Sequence, residues 1–92
     1  MNQKISKVFT VLNEKGLHTR PATELVKLAS NYEAQIVLSY QDLSVNAKSL
    51  LGILMLAAAR GAKIQIEAEG TDATEAVEAI ISLSKGKFNI SY

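Results

Sequence analysis

Lys63-Ile64-Gln65-Ile66-Glu67-Ala68-Glu69-Gly70-Thr71-Asp72-Ala73-Thr74-Glu75 is the stretch whose reading decides the fold. Its first seven residues alternate strictly. Ile64, Ile66 and Ala68 share one face, and Lys63, Gln65, Glu67 and Glu69 the other, which predicts a strand buried on one side only. Gly70 marks a turn. Asp72 with Glu75 three residues on predicts a capping box, and Ala76, Val77, Ile80 and Leu83 supply the buried stripe of a helix. Gly86 predicts the stop of that helix, with Lys85 favourable near its C-terminus.

Outward from this unit, residues 5–12 are rich in β-branched and aromatic types and predict a strand. Asn13 to Gly16 is a polar break. Ala22, Leu25, Val26 and Ala29 then fall at helical spacing from about Pro21. Residues 35–40 alternate with Ile36, Leu38 and Tyr40 on one face, and Gln41-Asp42 predicts a tight turn into a short strand, Leu43 to Asn46. A second helix is expected from near Ser49 to about Ala58, closed by Gly61. The order β-α-β-β-α-β-α predicts an α+β open-faced sandwich: a four-stranded antiparallel sheet with three helices on one face. Residues 1–92 are expected to form one domain.

Composition narrows the chemistry. The chain has no cysteine and one histidine, so disulfides, thiolate metal sites and multi-histidine sites are excluded, and no cofactor is expected. The longest apolar run, Leu50 to Ala59, is far too short to span a bilayer, and residues 1–4 carry no secretory signal, so a cytoplasmic location is expected. Net charge is +1, unevenly spread. Residues 1–63 hold eight Lys/Arg and four Asp/Glu, whereas residues 64–84 hold five acids and no base. That field is too weak for sequence-independent nucleic-acid binding, but it suits docking to acidic protein surfaces.

Gly16-Leu17-His18-Thr19-Arg20-Pro21-Ala22 lies where the first strand gives way to the first helix. Pro21 is the only proline, and its missing N–H costs nothing in a first helical turn. A helix beginning at Thr19 or at Pro21 puts His18 and Arg20 at its N-terminus, where free N–H groups and the helix dipole favour an anion. A neutral imidazole placed there is able to attack phosphorus. Arg20 and the backbone N–H groups can then hold the phosphoryl oxygens. No further acid or base is at hand, so the residues point to a stoichiometric carrier rather than a turnover enzyme.

Gly-Leu-His-Thr-Arg-Pro-Ala resembles the active-site signature of the HPr family, the histidine-containing phosphocarriers of the bacterial phosphoenolpyruvate-dependent sugar phosphotransferase system. The likeness covers essentially the whole chain. It implies that His18 takes phosphate on Nδ1 from phosphorylated Enzyme I and passes it to an EIIA domain, with Arg20 steadying the group. Val45-Asn46-Ala47-Lys48-Ser49-Leu50-Leu51-Gly52 is a second matching segment. Read plainly, Ser49 is an N-cap. By resemblance it is a regulatory position that an HPr kinase/phosphorylase modifies in many bacteria.

Ile53, Leu56 and Ala57 are expected to face the sheet, leaving Leu50, Leu51 and Leu54 as an apolar patch. The resemblance assigns that patch to docking of Enzyme I and EIIA, with Leu17, Thr19, Lys27 and Lys48 adding to the surface, by a protein acting as a monomer. Leu54 to Gly61 followed by Ile64 to Ala68 also looks close to the nitrogen-branch relatives of HPr, which would signal through a regulatory EIIA without transporting sugar. A small anion-binding regulatory module, in which His18 and Arg20 only grip a ligand, and a purely structural interaction domain using the leucine patch are the readings from other classes.

Overall fold

The computed structural model describes residues 2–92. Strand β1 (Gln3–Thr10) is followed by helix α1 (Thr19–Ala29), strands β2 (Gln35–Tyr40) and β3 (Leu43–Asn46), helix α2 (Leu50–Met55), strand β4 (Lys63–Gly70) and helix α3 (Ala73–Lys85). A single 3-10 turn, Lys87–Asn89, closes the succession. The sheet is antiparallel throughout, in the order β1-β4-β2-β3. The expected α+β architecture is therefore present.

The alternation of β4 sets the register. Ala68 lies opposite Ile5 on one side and Ile36 on the other, while Ile66 faces Leu38 and Ile64 faces Phe9. Ile36, Leu38, Ile64, Ile66 and Ala68 are buried, and α3 covers them with Ala73, Ala76, Val77 and Ile80. A strand residue and its second neighbour point the same way, so one apolar row per strand is enough to seat the helices. The opposite face carries Lys4, Gln65 and Glu69, all exposed.

Three local expectations need correction. Helix α2 ends at Met55 rather than near Ala58, because Ala57 takes a left-handed conformation (φ 50°) and its N–H turns back to the Leu54 carbonyl. Ala57 is consequently exposed, and the sheet side of this segment is Ile53 and Leu56. Asp72 does occupy the N-cap position of α3 but makes no capping bond. Its carboxylate instead accepts the N–H groups of Glu33 and Ala34, both at 2.9 Å, and ties the start of β2 to the start of α3. Gly86 ends α3 as expected, and the chain beyond it, for which no element was expected, forms the 3-10 turn, with Phe88 wholly buried and edge-on to Phe9 at 5.8 Å.

Candidate functional site

The loop between β1 and α1 is shaped by Gly16. Its φ is +73°, and a Cβ there would meet the Ala58 carbonyl oxygen at 2.5 Å, so only glycine lets the loop come this close to the segment after α2. The next N–H, that of Leu17, donates to the same carbonyl at 2.9 Å. Leu17 is only 4% exposed, which corrects its expected place on the docking surface. Its burial fixes the residue beside it.

That residue, His18, is the N-cap of α1, with an extended backbone (φ −83°, ψ −169°) and its carbonyl accepting the Ala22 N–H at 3.0 Å. The helix thus starts at Thr19, the earlier of the two expected positions. The first-turn amides of an α-helix lack intrahelical acceptors. Pro21 has no N–H and Ala22 uses the His18 carbonyl, so Thr19 and Arg20 are left to present theirs. No acidic side chain lies in that turn to compete for them. Thr19 is exposed, and its carbonyl holds the Thr23 hydroxyl at 2.7 Å.

The His18 imidazole makes no capping bond. It stacks on the ring of Tyr92, centroids 5.5 Å apart and planes 16° from parallel. The Nε2 atom is buried and has no hydrogen-bond partner. Arg20 is exposed, and its Nη1 donates to the Tyr92 hydroxyl. The Lys15 ammonium stands 4.9 Å from the centre of the Tyr92 ring. His18, Arg20 and the helix N-terminus are brought together as expected. Tyr92 and Lys15 join them without having been expected, and so does Asn13, whose Nδ2 holds the carbonyls of Lys87 at 2.9 Å and Ile90 at 3.3 Å. The alternating Phe88, Ile90 and Tyr92 were the one sequence signal that the chain beyond Gly86 packs onto the molecule.

The second motif lies on α2. Ser49 is its N-cap, and the hydroxyl accepts the Gly52 N–H at 3.0 Å, as expected from serine's preference there. Of the three leucines only Leu51 is freely exposed, at 70%, while Leu50 and Leu54 are half-buried against the core. Met55, not singled out from the sequence, is 60% exposed and widens the apolar surface. Lys27 is exposed and pairs with Glu24 at 3.4 Å. Lys48 is half-buried and donates to the Tyr32 carbonyl at 2.7 Å, so its ammonium is committed within the fold. No helix among the described residues is long and apolar enough to cross a membrane.

With this geometry in view, comparison with known proteins is specific. The family model for the phosphotransferase-system HPr component phosphorylation site matches residues 5–85. The phosphocarrier protein HPr of Cupriavidus necator is 38% identical over 79 residues, covering 86% of this chain and 89% of its own. Among solved structures, HPr of Bacillus anthracis superposes with a TM-score of 0.82 at 39% identity, over 86% of this chain and 94% of that one. A Thermoanaerobacter tengcongensis HPr gives 0.90 at 35% identity, over 96% of this chain and 99% of that one. The matched span includes the whole β1-to-α1 loop, α2 and all of the sheet but the first two residues of β1, and the chain belongs to the HPr phosphocarrier family of the phosphotransferase system.

Proposed function

We propose that this chain accepts a phosphoryl group on His18 from phosphorylated Enzyme I and passes it to EIIA domains, acting as a monomeric, cytoplasmic, stoichiometric carrier. The observation that carries the reading is His18 at the N-cap of α1, where that helix leaves amides free, stacked on the Tyr92 ring whose hydroxyl Arg20 holds. Because Nε2 is buried, attack falls to Nδ1. Its lone pair forms the bond to phosphorus as the bond from phosphorus to the donor breaks, and the donor keeps that electron pair. The group then lies at the positive end of the helix, where Arg20 and the amides offset its charge. Positioning and charge stabilisation suffice for phosphoryl transfer, so a shallow site shared with a partner can do the work.

Leu51 and Met55, flanked by Leu50 and Leu54, form the apolar part of the docking surface. Ser49 is a second, regulatory position for an HPr kinase/phosphorylase. A phosphate there would gain from the adjoining amides and would repel acidic partners. The sugar-transport and nitrogen-branch roles share this chemistry, and the acceptor distinguishes them. Incubation with Enzyme I and phosphoenolpyruvate should give an acid-labile, alkali-stable phosphoprotein, and His18→Ala should abolish it. A wild-type protein left unmodified by a cognate Enzyme I overturns the reading.

A further inference from the structure

The segment beyond α3 is built to reach His18, and every stage of its path is held by a different contact. Lys87, Phe88 and Asn89 all take left-handed backbone angles (φ 56°, 56° and 63°), which bend the chain back across the molecule. Non-glycine residues adopt that region at a cost, so surrounding contacts must hold it. Phe88 is sunk in the core against Phe9. Asn13, fully buried, grips the carbonyls of Lys87 and Ile90. The Lys15 N–H donates to the backbone oxygen of Tyr92 at 3.1 Å. Delivered there, the Tyr92 ring lies on the His18 imidazole and its hydroxyl takes up Arg20.

Building on the carrier reading above, we propose that Tyr92 is a positioning residue that closes over His18 and occupies Arg20 only while the carrier is empty. A guanidinium has donors and no acceptors, so it must be drawn to whichever oxygen is the stronger acceptor. A charged phosphoryl oxygen outcompetes a neutral phenol. Loading His18 therefore moves Arg20 from Tyr92 to the phosphoryl group and disturbs the stack. Contacts made only in the empty state favour that state by linkage. Tyr92 thus raises the tendency of the loaded carrier to give its phosphoryl group away.

The test is the equilibrium constant for phosphoryl exchange between phosphorylated Enzyme I and the carrier. Tyr92→Phe, which keeps the ring and loses the hydroxyl, should shift it about threefold towards the phosphorylated carrier, and Tyr92→Ala about tenfold. In the empty protein, the His18 ring protons should show an upfield ring-current shift that Tyr92→Phe keeps and Tyr92→Ala removes. An exchange constant unchanged or reversed in both variants overturns the proposal, as does a wild-type spectrum without that shift. If Tyr92→Ala fails to fold, Tyr92→Phe and the wild-type spectrum still decide. A wild-type protein that takes no phosphate overturns the carrier reading itself. A wild type that does, with variants that match it, overturns only the role of Tyr92.

Discussion

Gly16 and Asp72 are small features with long reach. Gly16→Ala would place a methyl group 2.5 Å from the Ala58 oxygen at a φ of +73°. The expected loss is about 2 kcal/mol or more, read as a lower denaturant midpoint, because both steric and backbone penalties apply. Asp72 is held below its ordinary carboxylate range, chiefly by the Glu33 N–H, with the Ala34 N–H adding to the effect and partial desolvation opposing it. A carboxyl depressed on folding stabilises the fold above its unfolded pKa, near 3.9, and loses that contribution as pH falls through the lower folded value. Asp72→Asn should therefore be less stable than wild type at neutral pH, and the gap should close in the acid range below the unfolded pKa. Thermal unfolding of the pair from pH 7 to pH 2 checks this. Neither role was legible locally. Asp72 followed by Glu75 looks like a capping box, and nothing nearby reveals amides 38 and 39 residues away.

At the scale of elements, α2 and the segment beyond α3 divide stability from docking. Ser49→Ala removes the one side-chain acceptor at the start of α2 and should cost about 1 kcal/mol. Leu51→Glu, at a position 70% exposed, should leave the stability within about 0.5 kcal/mol of wild type while raising the KM of Enzyme I for the carrier several-fold. Phe88→Ala should cost about 3–5 kcal/mol, since it empties a fully buried site against Phe9. Denaturant titration separates these three. The extent of α2 was misread because Leu50 to Ala59 is apolar almost throughout, so hydropathy offers no end point. The helix stops at Met55 because Ala57 takes a left-handed conformation, which alanine's helix propensity argues against.

For the whole molecule, the order of elements along the chain and the placement of His18 were legible because they rest on short-period patterns. Four amphipathic strands and three helical stripes in this order leave few un-knotted arrangements, and the glycine-to-proline loop marks its own helix start. The basic bias of residues 1–63 against the acidic 64–84 carries over into the fold. Lys15, Arg20 and Lys27 are exposed in the loop and helix that carry His18, whereas Glu75 and Glu78 are exposed on α3. Docking through the basic region should weaken with salt, so the KM of Enzyme I for this carrier should rise several-fold between low and high ionic strength while the kcat of Enzyme I changes little.

The grip of Asn13 on Lys87 and Ile90 joins positions 74 and 77 residues apart. Contacts that close nearly the full length of a chain are the slowest to form and the last to be rewarded during folding. A ribosome delivers the His18 loop early and Tyr92 some seventy residues later. During synthesis the histidine is therefore made well before its aromatic neighbour, and it stays without that cover until the last turn of the chain folds back over it.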